Sequence, residues 1–309
     1  MSLAPSQQPV RLGTSDLAAR PLAWSFRPSA GTTAEAAGEA VAAAVRAGFG
    51  IVSVSDVAPP GSDPRFGAAE RLLGEALAAT PDADLLLTLK GGVAPGPIYD
   101  NRADALEAAV CASLARLGRA QLDLFVLQRA DHLTHPRDVA LALSRLVERQ
   151  LARAVGVAHH APARIRAISA HLDSPLAVIE LPFSALEPGA LFDGSLELAM
   201  ETGAAVIAAA PLAEGLIGDR PGLAGSVTAR AVLRALDAIA GQQGVTRAAV
   251  AAAFVAVHPA RPIPLFGTQD GRELAAAADL FRVRLARADW YRILEAALGE
   301  KLPGADLDR

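Results

Sequence analysis

Three titratable side chains of this chain stand where short apolar runs end, and their types suit acid–base or nucleophilic chemistry. Lys90 closes "LLLTLK", His159 follows "AVGVA", and Glu180 lies in "AVIEL". A lysine in such a place can anchor an anion or, as a free amine, attack a carbonyl group. A histidine beside a carboxylate is the usual makeup of a general base, so His159 and Glu180 form a candidate dyad. The alternative for this pair is a surface histidine and a solvated glutamate.

The elements that would position these side chains alternate regularly along the chain. The apolar runs are "PLAWSF", "GIVSVS", "LLLTLK", "LDLFVLQ", "AVGVA", "AVIEL", "AVIAAAPL" and "PIPLFG", separated by helical patterns such as "AEAAGEAVAAAVRAG". Thr33 and Gly48 bound that first helix, and Asp289 directly precedes the last helical pattern. Eight strands alternating with helices predict an α/β fold, a (β/α)8 TIM barrel, with its site at the carboxyl ends of the strands. A doubly wound sheet is the alternative, but no G-x-G-x-x-G follows an early strand.

Composition bounds the class of protein and its partners. The chain has 309 residues, of which 52% are hydrophobic, and we predict a single domain over residues 1–309. A formal charge of −4 without a run of Lys or Arg argues against nucleic-acid and membrane partners. We find no leader pattern and no stretch of about eighteen apolar residues. Cys111, the single cysteine, is predicted to be a core residue in a reducing compartment, so we expect a cytoplasmic protein.

Several segments together resemble the aldo/keto reductases. The segments "AGFGIVSVSDVAPP", "RFGAAERLLGEAL", "LLLTLKGG", "LDLFVLQRAD" and "RAVGVAHH" occur in that family's order and spacing. The similarity is most specific at "ERLLGEAL" (70–77), "LKGG" (89–92) and "IPLFGT" (263–268). The resemblance implies a (β/α)8 barrel over nearly the whole chain. It also implies NAD(P)H-dependent reduction of a carbonyl group, in which a Tyr gives the proton while Lys, Asp and His support it.

The resemblance places different residues at three of those four catalytic positions. Ser53 stands at the Asp position, Ala58 at the Tyr position and Gln128 at the His position, and Lys90 alone is retained. Alanine has no proton to give. An amide can hydrogen-bond a carbonyl oxygen but cannot titrate. Asp56 lies close to the Tyr position in sequence, but the two-residue alternation of a strand makes it an uncertain replacement.

The cofactor-binding positions implied by the resemblance also differ from the family. They are Ala158, His159, Glu180 and Ala209 around the nicotinamide, and Gln269, Asp270, Arg272, Ala276 and Ala277 around the adenosine end. Ala209 offers no aromatic face on which the nicotinamide could stack. A carboxylate at Asp270 would repel a 2′-phosphate. Arg272 is the one basic candidate, with a solvated charge at a helix start as its alternative. We therefore expect no cofactor, with NADP(H) as the alternative.

These observations lead to three hypotheses about function. In the first, NADPH-dependent reduction has been lost, and the barrel mouth binds a small molecule through Ser53, Asp56, Lys90, Gln128, His159 and Glu180, with Trp24 as a further substrate contact. Lys90, His159, Glu180 and Gln128 would then catalyse lyase, dehydratase, isomerase or cyclase chemistry. The second is an NAD(P)H-dependent oxidoreductase with atypical residues, and the third a non-catalytic subunit or ligand sensor. No metal site is expected, because His132 and His135 lack a third ligand nearby. Oligomeric state is not predicted.

Overall fold

Eight parallel strands close into a barrel in the order β10-β11-β4-β5-β6-β7-β8-β9. The computed structural model describes residues 2–56, 65–93, 99–219 and 226–303. The barrel strands are β4 (Ala23–Ser25), β5 (Ile51–Ser55), β6 (Leu86–Gly91), β7 (Leu122–Leu127), β8 (Ala152–Ala158), β9 (Val178–Pro182), β10 (Ala205–Ala209) and β11 (Ile263–Phe266). The predicted (β/α)8 barrel is confirmed, and each predicted run overlaps one strand. A doubly wound sheet is excluded because this sheet has no edge.

Two antiparallel pairs of short strands accompany the barrel. β2 (Val10–Arg11) pairs with β3 (Ala18–Ala19), and β1 (Ser2–Leu3) pairs with β12 (Leu285–Ala286). Leu12 and Leu17, in the β2–β3 hairpin, join the same apolar cluster as Ile51 and Ile263 from the barrel strands. The hairpin therefore closes the amino-terminal end of the barrel and leaves the carboxyl-terminal end as the open mouth.

Helices cover the outside of the barrel. They are α1 (Ala34–Arg46), α2 (Ala68–Ala78), α3 (Ala103–Leu117), α4 (Pro136–Glu148), α5 (Pro162–Ser169), α6 (Ser195–Thr202), α7 (Val227–Gln243), α8 (Arg247–Ala256), α9 (Gly271–Ala277) and α10 (Arg287–Leu298), with short 3-10 helices at Gly189–Leu191 and Ala278–Arg282. Within the described ranges, no helix has the length and apolar character needed to cross a membrane.

Side-chain caps explain several of the helix boundaries. Thr33 caps α1 as predicted, because its hydroxyl accepts a hydrogen bond from the backbone N–H of Ala36 at 3.2 Å. The prediction for the last helix is wrong by one turn: α10 begins at Arg287, and Asp289 lies inside its first turn, where it pairs with Arg292 at 2.8 Å. His135 caps α4 by accepting from the backbone N–H of Arg137 at 3.1 Å, which gives this histidine a structural role.

The prediction that Cys111 is a core residue is wrong. Cys111 is exposed on α3, whose buried positions are Leu106, Val110, Ser113, Leu114 and Leu117. These positions follow the three- and four-residue spacing of one helix face, and residue 111 falls outside it. The alanine-rich sequence around it hid which face packs on the barrel.

The two-residue alternation of the strands separates an inner and an outer core. Ile51, Leu124 and Val178 belong to the cluster inside the barrel, whereas Val52 and Val54 belong to the larger cluster beneath the helices. Every second residue of a strand faces the interior, so the residues that follow these inner ones on the same face lie near the mouth, where they are polar. These are Ser53 and Ser55 on β5, Lys90 on β6, Gln128 after β7 and Glu180 on β9.

A buried ion pair fixes α2 against α3. Glu70 on α2 is fully buried, and its carboxylate is paired with the Nε of Arg116 on α3. Arg116 also donates to Ser113 Oγ at 2.8 Å, and its guanidinium lies 5.0 Å from the ring centre of Phe66. The pair therefore links α2 to α3 where the two helices pack against each other.

Removing one partner of this pair should lower the stability of the fold far more than removing both charges. We expect Arg116→Met to lower the free energy of unfolding by about 3–5 kcal/mol, because it leaves the Glu70 carboxylate buried and unpaired. The double variant Glu70→Gln with Arg116→Met should recover at least half of that loss. Urea unfolding monitored by circular dichroism measures both, and a single variant within about 1 kcal/mol of the wild type would contradict the prediction.

Candidate active site

A buried ion pair crosses the interior of the barrel mouth. Lys90 Nζ on β6 lies 2.8 Å from Glu180 Oε1 on β9, and the two side chains are 8% and 1% exposed. The prediction from the sequence was that Glu180 would pair with His159 instead. The second carboxylate oxygen, Glu180 Oε2, is buried and has no hydrogen-bond partner among the described residues. The site therefore offers an ammonium group held in place and a strong acceptor that still lacks a donor.

Serine and amide groups extend the site along β5 and β7. The Ser55 hydroxyl donates to Gln128 Oε1 at 2.9 Å, and the Gln128 backbone N–H donates to the Gly91 carbonyl at 2.9 Å. The bond from Ser55 engages the side-chain amide oxygen of Gln128, and the NH2 group of Gln128 can then donate to a ligand. Ser53 is buried, and its hydroxyl has no partner in the part of the chain that the structure describes.

Asp56 lies at the rim between β5 and β6. Its backbone N–H donates to the Lys90 carbonyl at 3.1 Å, and its Oδ2 accepts from the Val93 N–H at 3.4 Å. It is buried, yet Glu180 rather than Asp56 pairs with the lysine. Ala58, which the resemblance places at the Tyr position, lies outside the described residues.

His159 lies beside the ion pair with a left-handed backbone, φ 56°. The backbone N–H of His159 donates to the backbone carbonyl of Glu180 at 3.1 Å. Burial lowers the pKa of His159 to about 4, against the opposing influence of Glu180, and the charges of Arg129 and Lys90 lower it further. Among the described contacts, no hydrogen bond joins its ring to the Glu180 carboxylate, so the predicted dyad does not form. The ring is therefore neutral at neutral pH, with one nitrogen that can donate and one that can accept a hydrogen bond.

The prediction that Trp24 contacts substrate is wrong. Its side chain is fully buried, packs edge-on against Phe26, and donates from Nε1 to the Thr268 carbonyl at 2.8 Å. Trp24 alternates with the inward-facing Ala23 on β4 and therefore points toward the helices. It joins β4 to the loop after β11 and does not reach the mouth.

An open groove leads away from the carboxyl-terminal end of β10. Its volume is about 660 Å³, within the range of small-molecule and cofactor sites. Ala210 and Pro211 line one part, and the lining includes Arg27 and Glu214 as well as the segment from Gly267 to Asp270 with Glu273, Ala276 and Ala277. Four residues of the latter segment, Gln269, Asp270, Ala276 and Ala277, were predicted from the sequence to surround the adenosine end of a cofactor. Arg272 does not line the groove: it is exposed on α9, and its backbone N–H donates to Asp270 Oδ1 at 2.8 Å.

Arg27 and Glu214 line the groove but were not predicted from the sequence. Arg27 Nε donates to Ser25 Oγ at 3.0 Å, and its Nη1 lies 3.7 Å from Glu214 Oε2. The alternation of β4 could have found Arg27, since positions 23, 25 and 27 follow one face of the strand. No sequence pattern around Glu214 predicts that it lines a groove. It lies in a loop where Ala210, Ala213 and Glu214 itself have positive φ angles of 51°, 49° and 54°. Such backbone conformations cost energy in residues other than glycine and are concentrated at functional sites.

Comparison with known proteins identifies the family. The model of the aldo/keto reductase family matches residues 12–297, and the chain belongs to this family. It is 38% identical over 299 residues to 6-dehydroglucose reductase of Novosphingobium aromaticivorans, covering 95% of this chain and 96% of that protein. It is 30% identical to 6-dehydroglucose reductase of Agrobacterium fabrum, covering 76% of this chain and 80% of the relative. The structure of a glycerol dehydrogenase from Gluconobacter oxydans superposes with a TM-score of 0.82 at 20% identity, covering 97% and 98% of the two chains.

These findings correct two predictions made from the sequence. The first hypothesis, a barrel that has lost nicotinamide-dependent reduction, is wrong, because relatives that span the chain are named reductases. The expectation of no cofactor is wrong for the same reason. It relied on lost contacts at single positions, whereas a groove of about 660 Å³ is present at the carboxyl-terminal end of β10. The findings favour the second hypothesis, an NAD(P)H-dependent oxidoreductase.

The burial of His159 should appear as a pH dependence of stability. Its pKa is about 4 in the folded protein against 6.5 ordinarily, so the unfolded chain takes up the proton first as the pH falls from 6.5 to 4. Folding stability is therefore retained above pH 6.5 and decreases through this window. We expect His159→Asn to reduce the loss between pH 7 and pH 4 by about 1–2 kcal/mol, allowing for partial solvent screening. Asparagine also tolerates the left-handed backbone.

Urea unfolding at a series of pH values provides this measurement. The matched control is His171→Asn, which changes an exposed histidine. Other histidines contribute equally to all three proteins and cancel in the comparison. Identical pH slopes for the wild type and His159→Asn would contradict the assignment.

Proposed function

We propose that this protein is an NAD(P)H-dependent oxidoreductase that reduces the carbonyl group of a small polyhydroxylated compound, with Lys90 as the proton donor. The observation that carries the proposal is the open groove that runs from the end of β10 to Asp270, beside a mouth that holds a buried ammonium group. The reductase names of the relatives support it.

The residues present fit a dinucleotide. Glu180 Oε2 is a buried acceptor without a described donor, and the NH2 of a nicotinamide carboxamide is a donor of the right kind. Arg27 supplies a guanidinium group to the groove, and such groups bind phosphates in a bidentate manner. When bound, a reduced nicotinamide supplies the hydride that reduces a carbonyl carbon.

Lys90 is suited to supply the accompanying proton. One of its N–H bonds is directed at Glu180 Oε1, which fixes the ammonium group. The other two have no partner among the described residues and can donate to a substrate oxygen. As the carbonyl oxygen gains negative charge, the Lys90 Nζ–H bond breaks and an O–H bond forms, and the resulting amine takes up a proton from water. The Gln128 NH2 group can donate to the same oxygen. Because the pair is almost fully buried, these interactions act with little competition from water.

A polyhydroxylated substrate suits the composition of the mouth. Hydroxyl groups of a sugar both donate and accept hydrogen bonds. The polar side chains of the mouth also have both capacities, namely Ser53, Ser55, Gln128 and neutral His159. Two relatives are named for 6-dehydroglucose, an aldehyde of a sugar. We therefore propose a sugar aldehyde of this kind as the substrate class. Cytoplasmic residence, and the absence of nucleic-acid and membrane partners, remain predictions from composition.

Cofactor binding and turnover can be measured together. We expect calorimetric titration with NADH or NADPH to give a micromolar dissociation constant, and the absorbance of the reduced nicotinamide to decrease when 6-dehydroglucose is added. Glucose, which has no carbonyl at carbon 6, is the matched control for the substrate. A protein that binds neither nucleotide would overturn the proposed function.

The role of Lys90 has a convenient control, because the chain contains two lysines, Lys90 and the exposed Lys301. We expect Lys90→Met to lower kcat by a factor of about 100 to 10,000, the usual contribution of a general acid, in protein that circular dichroism shows to be folded although Glu180 has lost its partner. Lys301→Met should match the wild type in kcat and in its circular dichroism spectrum. A Lys90→Met protein that retains wild-type kcat would show that another group gives the proton.

A further inference from the structure

Basic side chains gather at the ends of β7 and β8, beside the mouth. Arg129 is exposed and follows Gln128 directly after β7, while His160 follows His159 after β8. Arg164 lies in the first turn of α5. Among the described residues, neither guanidinium group forms an ion pair with a carboxylate. This part of the rim is therefore positive, although the whole chain carries a formal charge of −4.

The carboxylate that is nearest in sequence, Asp131, is already engaged by other donors. Asp131 is buried, and its Oδ1 accepts from the Leu133 backbone N–H at 2.8 Å. Its Oδ2 accepts from the Thr134 hydroxyl at 2.5 Å and from the Asn101 backbone N–H at 3.3 Å. These bonds order the loop after β7, and the Asp131 carboxylate forms no ion pair with either arginine.

Hydrogen bonds to backbone carbonyls hold both arginines in place. Arg164 Nη2 donates to the carbonyls of Asp131 and Thr134 at 2.7 and 2.8 Å. The Asn101 amide donates to the Arg129 carbonyl at 3.0 Å, which fixes the backbone from which the Arg129 side chain extends. Arg164 Nε is buried and has no partner among the described residues. A buried cationic donor of this kind is costly unless an acceptor completes it.

His160 adds a second buried nitrogen without a described partner. The residue is 8% exposed, and its Nδ1 lies 2.7 Å from the Ala158 carbonyl. Because a carbonyl oxygen only accepts, Nδ1 carries a proton and Nε2 is the atom left over. Burial lowers the pKa of His160 against the effect of the Ala158 bond, and the charges of Arg164, His132 and Arg129 lower it further.

We propose that Arg129, Arg164 and His160 bind an oxyanion group of the substrate, a phosphate, sulfonate or carboxylate, beside the mouth. The inference rests on the proposed function and narrows its substrate class to an acidic sugar aldehyde. Guanidinium groups bind such oxyanions through charge-assisted hydrogen bonds. Since Gln128 and Arg129 are consecutive, one small molecule can place its carbonyl group at Gln128 and its anionic group at Arg129.

Binding of the anion should take up one proton. An oxyanion without a proton only accepts hydrogen bonds, so His160 must be protonated on Nε2 before it can donate to the anion. The negative charge of the ligand favours that protonation, because it offsets the positive charges of Arg129, Arg164 and His132. His159 is the other titratable group that faces His160, and its ring is neutral at neutral pH.

Inorganic sulfate is a suitable probe, because it remains a dianion over the pH range in which histidine titrates. We expect calorimetric titration of the protein, without nucleotide and at constant ionic strength, to give a dissociation constant in the millimolar range. Arg129→Gln should weaken binding by about tenfold or more, because a charge-assisted contact is lost. The matched control is Arg46→Gln, which changes an exposed arginine in the last turn of α1. Absence of sulfate binding, or equal affinities in the wild type and Arg129→Gln, would overturn the site.

The contribution of His160 can be read from the pH dependence of sulfate binding. Because binding takes up a proton, the affinity of the wild type should increase by about threefold or more as the pH falls from 8 to 5.5. His160→Asn retains an amide donor for the Ala158 carbonyl and should lose most of this increase. His132 and His159 remain in the variant, so any slope that persists is theirs. Equal slopes in the two proteins would remove His160 from the site.

A phosphorylated aldehyde distinguishes an anion carried by the substrate from a free anion. We expect kcat/KM for glyceraldehyde 3-phosphate to exceed that for glyceraldehyde by about tenfold or more, through KM, and Arg129→Gln to abolish the difference. Equal values in the wild type, together with sulfate binding, would show that the site takes a free anion and would overturn the substrate assignment.

The outcomes separate this inference from the proposed function. An enzyme that reduces glyceraldehyde or 6-dehydroglucose but does not bind sulfate would overturn the anion site alone. A protein that binds sulfate through Arg129 but reduces neither aldehyde would support the anion site and overturn the proposed function.

Discussion

Closure of the eight-stranded sheet is the constraint on which the rest of this structure depends. In a closed barrel every second side chain of every strand points into one narrow interior, so the inner face has to be small, apolar or paired. Ile51, Leu124 and Val178 satisfy this requirement in the lower part, beside the Leu12 and Leu17 side chains of the hairpin. Polar groups are tolerated only near the mouth, where each strand ends. The same geometry that fills the core therefore gathers the functional groups.

The buried pair of Lys90 and Glu180 is the clearest consequence. Removing two charges from water costs several kcal/mol for each ion, and good geometry must offset that cost. A 2.8 Å contact supplies one strong bond, but Glu180 Oε2 is left without a described partner. An incompletely satisfied buried charge is an unfavourable arrangement for stability alone, and it becomes understandable if a ligand completes it. His159 shares the same environment, where burial lowers its pKa and keeps the ring neutral.

The groove shows how loops on a rigid barrel can alter binding without altering the fold. Arg27 extends the inner face of β4, and Glu214 lies opposite in a loop with several strained backbone conformations. The structure of the Gluconobacter oxydans glycerol dehydrogenase shares the overall fold at only 20% sequence identity, so the barrel itself tolerates wide sequence change.

The sequence by itself determined the eight barrel strands and their order along the chain, because alternation and helical periodicity are local properties that each segment carries with it. The family was indicated by the resemblance of several segments to the aldo/keto reductases. The sequence also identified Lys90, Glu180 and His159 as residues of one mouth, since strand ends in a barrel converge. The sequence did not predict contacts between side chains on strands that face each other across the barrel. Lys90 and Glu180 are 90 residues apart, and only closure of the sheet decides that they meet, while Asp56 and His159 remain beside them. Counting lost family contacts likewise led to the wrong conclusion about the cofactor. Whether a groove is open, and which charges line it, depends on how loops from β4, β10 and β11 pack together, and only the tertiary structure decides this.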